Sequence, residues 1–236
     1  MKFDDFTLLI PVLISFLISV VLCPILIPFL RKLKFGQTVR DEGPASHLKK
    51  NGTPTMGGLV ILFSVLITSL IYVGRYPDII PVLFMTLGFG IIGFLDDYIK
   101  VVKKRSLGLT PLQKIVLQFI VTAVFTYYYF DVAKLDTQTR IPFVEGYAFS
   151  MPAWLFVIFI FIVVLGTVNG VNFTDGLDGL ASGVTALVAF CMILLGVYAS
   201  PGFATEPVIY GALAGGCLGF LMFNKNPAKI FMGDTV

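Results

Sequence analysis

Seven stretches of almost unbroken apolar residues alternate along the chain with short polar segments. They run Thr7–Leu30, Gly58–Val73, Ile79–Leu95, Ile115–Phe130, Met151–Val168, Leu180–Ala199 and Val208–Phe223. A helix needs ~20 apolar residues to cross a hydrocarbon core; several stretches reach this, and the shorter ones do once their Gly, Tyr and Thr flanks are counted. The pattern predicts an all-α integral membrane protein, a polytopic helical bundle of about seven transmembrane helices. Between the fourth and fifth stretches, Ile141–Val144 and Tyr147–Phe149 flank Glu145–Gly146, the signature of a small external β-hairpin. Pro142 weakens that signature by removing one donor. Residues 1–236 read as one integral membrane domain without a linker, a low-complexity tract or an internal repeat.

If the chain crosses at every stretch, segments 31–57, 96–114, 169–179 and 224–236 share one face. They carry six, five, none and two Lys and Arg respectively, against four on the opposite face (Lys2, Arg75, Lys134 and Arg140). Acidic residues split evenly. Loops rich in Lys and Arg stay in the cytoplasm, so the first face is expected to be cytoplasmic, with the N-terminus outside. The net charge of +3 is then a topology signal and not a nucleic-acid footprint. Composition supports the membrane class: only 13% of residues are charged, about half the share in soluble domains. The first stretch is too long for a signal peptide and follows Asp4 and Asp5 instead of basic residues, so it reads as a retained helix. Cys23, Cys191 and Cys217 all fall within apolar stretches, which favours packing over disulfides.

Some patterns have plain explanations. Gly88, Gly90 and Gly93 match the dinucleotide-binding glycine spacing, but inside an apolar stretch this spacing suits close helix packing. Gly211 and Gly215 have the spacing of a tight helix contact, within or between subunits. His47 is the only histidine and has no partner for a zinc pair.

Chemistry concentrates on the basic face. Asp96 and Asp97 close the third stretch, where adjacent carboxylates suit a hard cation or proton transfer. The plainer alternative is a pair of interfacial acids at a helix start. Asn172, Asp175 and Asp178 lie at i, i+3 and i+6 and would share neighbouring turns if the segment is helical from Asn172 onward. The alternative is a turn whose aspartates cap the next helix. After the seventh stretch, Asn224 offers an amide, Phe231 a stacking face and Asp234 a further carboxylate. Carboxylates alone repel a phosphate, so the set calls for Mg²⁺ as a bridge, with Lys50 adding direct positive charge. An anionic nucleotide donor and an acceptor from the bilayer fit this collection.

The run from Gln37 to Gly58, with Lys50-Asn-Gly52-Thr53-Pro54-Thr55-Met56-Gly57-Gly58 at its end, resembles the polyprenyl-phosphate N-acetylhexosamine-1-phosphate transferases. Asp96-Asp97-Tyr98, Asn172 with Asp175-Gly176-Leu177-Asp178-Gly179, and Asn224 with Phe231-Met232-Gly233-Asp234 match the same family in the same order. The carboxylate motifs are common to the superfamily; the Gly-Thr-Pro-Thr-Met-Gly-Gly run is similar to its muramoyl-pentapeptide branch. The resemblance implies transfer of phospho-N-acetylmuramoyl-pentapeptide from UDP-MurNAc-pentapeptide to undecaprenyl phosphate, giving lipid I and UMP with Mg²⁺ as cofactor. It implies Asp234 as metal ligand and Asp96 with Asp97 as the acidic pair near the lipid phosphate. Lys50, Asn172, Asp175, Gly176, Asp178, Asn224 and Phe231 would line the nucleotide and diphosphate pocket. It further implies a bacterial cytoplasmic membrane, an active site on its cytoplasmic face and contact with membrane lipids, and the Gly211–Gly215 spacing leaves room for a homodimer. Family members continue past Val236 through more helices and a histidine cluster. The fragment is therefore expected to be incomplete at its C-terminus, with Asp234 loosely held, and catalytically silent. Two rivals remain: a sister UDP-N-acetylhexosamine transferase, and a cation-coupled secondary transporter, which would place its acids near the midplane.

Overall fold

The computed structural model describes residues 5–32, 53–103, 108–140, 148–199 and 205–235. These form seven α-helices: α1 (Asp5–Lys32), α2 (Gly58–Tyr72), α3 (Ile79–Val102), α4 (Pro111–Tyr127), α5 (Ala153–Thr174), α6 (Leu180–Ala199) and α7 (Thr205–Asn224). Five of them, α1, α3, α4 with its continuation, α5 and α7, are long and apolar enough to cross a membrane; α2 and α6 contribute shorter apolar segments. Outward-facing side chains are large and apolar, as on α1, where Leu13, Leu17, Val21 and Ile25 are exposed while Ser15, Ser19 and Cys23 are buried. That inversion suits a lipid solvent, in which apolar surface costs nothing and polar groups turn inward.

The described residues divide into two compact units, residues 1–110 with 171–236, and residues 111–170. In the first unit α7 packs against α1, α2 and α6. Its core joins Cys23, Ile27 and Leu30 of α1, Val60, Ile61 and Val65 of α2, and Ala212, Cys217 and Phe220 of α7. The α1–α7 seam is made of small residues. The Ser15 hydroxyl donates to the Ala212 carbonyl at 2.5 Å and Ser19 donates to Gly216 at 2.9 Å. A methyl group at Gly215 would overlap the Val12 carbonyl. The Gly211–Gly215 spacing is therefore used inside the chain, where close backbone approach and hydroxyl bonds replace the missing hydrophobic drive.

After α7 the chain folds back. The Phe231 N–H donates to the Pro54 carbonyl at 2.8 Å, while Gly57 and Gly58 donate to Phe231 and Met232 at 2.9 and 2.8 Å. Ile230 and Met232 plug into the core beside Met56. The tail that carries Asp234 is thus fastened along the entry to α2, contrary to the expectation that it is loosely held.

In the second unit, α4 runs into a π-helical turn, Tyr128–Val132, and returns through a two-stranded antiparallel ladder to α5. The strands are β1 (Gln138–Arg140) and β2 (Ala148–Ser150), with Gln138 opposite Ser150 and Arg140 opposite Ala148. The hairpin exists, but its first strand lies ahead of the predicted 141–144, on residues that keep their N–H donors before Pro142. The predicted turn at Glu145–Gly146 lies outside the described residues. Within this unit the buried Gln118 accepts a hydrogen bond from Asn169 at 3.0 Å, and Phe119 packs on Phe161.

Candidate active site

Helix α3 does not stop at Leu95. It continues to Val102 and carries Asp96, Asp97 and Lys100 on neighbouring turns, because no glycine or proline interrupts residues 94–102. Both carboxylates are buried, 3% and 2% exposed, yet each has a fixed partner. Asp96 Oδ1 accepts the Leu109 N–H at 2.7 Å, and Asp97 Oδ2 accepts the Thr235 hydroxyl at 2.7 Å. The Leu109 contact requires a glycine before it, since a side chain at Gly108 would press on the Asp96 carboxylate, 2.5 Å away.

The folded-back tail brings Asp234 to the same place. Its backbone lies directly on α3 at Gly93, where a methyl group would overlap the Asp234 carbonyl. Gly233, at a φ of +77°, turns the chain beside Asp97 and Thr55. The result is three carboxylates, Asp96, Asp97 and Asp234, with one ligand oxygen each, all within 4.8 Å of one another. Lys100 sits against all three: its Nζ is 2.6 Å from Asp96 Oδ2, 2.9 Å from Asp234 Oδ2 and 3.9 Å from Asp97 Oδ1. The buried Asp96 Oδ2 is held by the Lys100 ammonium in a close ion pair. Three hard oxygen donors with a formal excess of two negative charges over Lys100 fit a divalent cation of the Mg²⁺ class.

Beside this cluster lies the connection between α5 and α6. It is not the helix the spacing allowed. Helix α5 ends at Thr174, and the two Asp-Gly pairs form turns that close on Gly179, whose φ of +76° favours glycine. Asn172 sits on the last turn of α5, and its carbonyl accepts the Asp175 N–H at 3.3 Å. The Asp175 carboxyl is pushed up to about 6, first by burial, with Asp234 and Asp178 adding to the shift and a bond from the Gly233 backbone opposing it. Gly176 faces open space.

Two predicted residues are engaged by the returning tail. Asp178 Oδ2 accepts from the Asn226 amide at 3.2 Å and the Ala228 N–H at 3.3 Å. Asn224 is 2% exposed: its Oδ1 accepts from the Gly179 N–H at 3.1 Å and the Ser182 hydroxyl at 3.0 Å, and its Nδ2 donates to the Ile230 carbonyl at 3.0 Å. The Asn224 amide therefore ties the tail to the start of α6. Phe231, half-buried, precedes Asp234 on the clamped strand. Lys50 and His47 lie outside the described residues.

Asp96, Asp97, Asp175 and Asp234 thus converge, with Asp178, Asn224 and Phe231 bracing the tail beside them. The spacing analysis missed Lys100, although its i+3 and i+4 offsets from the acidic pair give the required signal. Thr235 carried none, and the glycine spacing marked Gly93 only for close packing, since the partner of each depends on where the tail returns.

Comparison with known proteins identifies the family. The pattern of glycosyl transferase family 4 matches residues 79–236. Phospho-N-acetylmuramoyl-pentapeptide-transferase signature 1 matches residues 50–62. The chain is 46% identical over 231 residues to the phospho-N-acetylmuramoyl-pentapeptide-transferase of Caldicellulosiruptor bescii, covering 98% of this chain and 70% of that protein. It is 48% identical over 234 residues to the protein of the same name from Bacillus subtilis, with 97% and 70% covered. A third, from Acetivibrio thermocellus, is 47% identical over 223 residues, with 94% and 67% covered.

Proposed function

The chain belongs to the phospho-N-acetylmuramoyl-pentapeptide-transferases of glycosyl transferase family 4, and on that premise we propose how its residues carry out the transfer. The enzyme moves phospho-N-acetylmuramoyl-pentapeptide from UDP-MurNAc-pentapeptide to undecaprenyl phosphate, forming lipid I and releasing UMP. The convergence of Asp96, Asp97 and Asp234 around Lys100 is the observation that carries the site assignment. Its location is the cytoplasmic face of the bacterial inner membrane, a reading supported by the concentration of Lys and Arg in the segments that hold these residues.

Asp96, Asp97 and Asp234 would hold Mg²⁺. When bound, the ion neutralises charge on the donor diphosphate and on the leaving UMP. The residues of this chain do the rest. Asp97 is kept in place by Thr235 and Asp96 by Leu109, so neither carboxylate needs to reorganise as charge develops. Lys50 and Lys100 supply positive charge for the phosphates. Asn172, Asp175 and Gly176 border the donor side, where Gly176 leaves room for close approach, and Phe231 offers a face for the uracil ring.

The lipid phosphate is mostly dianionic at neutral pH, since its second pKa is near ~6, and is already nucleophilic. One of its oxygens forms a bond to the β-phosphorus of the donor. The bond from that phosphorus to the bridging oxygen breaks in line, and the electron pair leaves with UMP. This single displacement suits the site better than an aspartyl-phosphate route, because both α3 carboxylates are buried and already engaged.

Two measurements test the reading. Purified full-length enzyme supplied with undecaprenyl phosphate should consume UDP-MurNAc-pentapeptide and not UDP-N-acetylglucosamine, with one UMP released per lipid I. Labelled UMP should enter the donor only when lipid I is present. Exchange without any lipid would establish a covalent intermediate and overturn the single displacement.

A further inference from the structure

Lys100 has the geometry of a cation already occupying the place that a metal would take. Its Nζ contacts Asp96 Oδ2 at 2.6 Å and Asp234 Oδ2 at 2.9 Å, two oxygens of the same three-carboxylate cluster. A Mg²⁺-class ion needs such oxygens at ~2.0–2.1 Å and demands near-octahedral geometry. An ammonium group centred on those oxygens and a divalent ion cannot share them: the space is the same, and two cations so close repel strongly. The lysine is also able to leave. Its side chain is 31% exposed, while the two α3 carboxylates are almost fully buried, and its four-carbon stem is flexible.

We infer that Lys100 is a resident counter-cation of the metal site, displaced when the divalent ion binds and retained at its rim to pair with a substrate phosphate. The ammonium keeps three close carboxylates tolerable in the metal-free protein, where they would otherwise repel one another on a buried helix face. It exacts this by competing with the metal, so the affinity of the free enzyme for the ion is held below what the carboxylates alone would give. Once released, its charge lies beside an ion that draws in a diphosphate, and an arriving phosphate oxygen replaces the lost carboxylate partners. Lys100 is in this account a positioning residue for the metal before it meets any substrate. The inference rests on the reading of Asp96, Asp97 and Asp234 as metal ligands.

The test is Mn²⁺ binding to the purified protein in detergent without substrate, followed by electron paramagnetic resonance, together with thermal unfolding with and without Mn²⁺. Lys100→Met removes the charge and keeps the stem; Lys100→Gln is the second variant should the first not fold. Loss of one competing charge at this range is expected to tighten Mn²⁺ binding by about tenfold or more. The metal-free melting temperature should fall, and the rise on adding Mn²⁺ should exceed that of the wild type. A lysine with only a structural role would lower the melting temperature without raising the affinity. Equal or weaker Mn²⁺ binding by the folded variants therefore overturns the inference while leaving the metal site standing. If the wild type binds no Mn²⁺ that Asp234→Asn removes, the metal reading itself fails and this inference with it.

Discussion

Gly93→Ala is the sharpest single perturbation of the site, because it moves a proposed metal ligand without removing it. A methyl at position 93 would stand 2.5 Å from the Asp234 carbonyl carbon and 2.8 Å from Thr235 Cα. The Asp234 carbonyl oxygen lies nearer still and would overlap the methyl, and ordinary contact begins near 3.4 Å, so the tail must retreat by more than about 1 Å. Helix α3 cannot yield instead, since it is a continuous helix from Ile79 to Val102. Misplacement of about 1 Å costs roughly 10²-fold in rate, which corresponds to about 2.7 kcal/mol of transition-state stabilisation. The tail remains anchored upstream by the Phe231–Pro54 and Gly57–Phe231 bonds, so the fold should persist. The assay is a comparison of kcat for lipid I formation with the melting temperature of the same preparation. A near-wild-type melting temperature with kcat down by about two orders of magnitude is expected. A variant that turns over at the wild-type rate would refute the claim that α3 and the tail jointly fix Asp234.

Other consequences follow from neighbouring contacts. Asn224→Ala leaves the Gly179 N–H, the Ser182 hydroxyl and the Ile230 carbonyl without their partner, and should cost about 2–4 kcal/mol of stability in denaturant unfolding; a loss below detection would show that the amide does not fasten the tail. Gly215→Ala should separate α1 from α7 and weaken the Ser15 and Ser19 bonds, destabilising the protein by about 1–3 kcal/mol, read as a lower melting temperature in detergent. Asp175 holds its proton more tightly folded than unfolded, so its unfavourable contribution is absent below the ordinary aspartate range and grows as pH rises to about 6. In metal-free protein, the wild type should therefore lose melting temperature relative to Asp175→Asn as pH increases from about 4 to about 7; parallel curves would contradict the burial argument.

Hydropathy alone located all seven helices of the described residues, because apolar runs of membrane length have few other uses, and the acidic residues at their ends marked the proposed site. Where the sequence misled, the reason was tertiary. The i, i+3, i+6 spacing of Asn172, Asp175 and Asp178 is compatible with a helix, but the intervening glycines end α5 and send Asp178 toward Asn226 and Ala228. Asn224 looked like a free amide for a base, yet burial commits its oxygen and nitrogen to the tail. Asp234 appeared loosely held since the backbone pairing with residues 54–58 joins segments far apart in the chain. Lys100 was readable from its offsets to Asp96 and Asp97, but only the return of Asp234 makes it a shared partner of three carboxylates.

The central claim is that Asp234, brought by the tail to Asp96 and Asp97, completes a metal-dependent phosphoryl-transfer site. The most direct measurement is lipid I formation from UDP-MurNAc-pentapeptide and undecaprenyl phosphate as Mg²⁺ is titrated, for the purified full-length wild type and its Asp234→Asn variant. The wild type should be inactive without the ion and saturate with it, and the variant should lose about 10²-fold or more in turnover at every Mg²⁺ concentration. Turnover by Asp234→Asn at close to the wild-type rate, with the same Mg²⁺ dependence, would contradict the account.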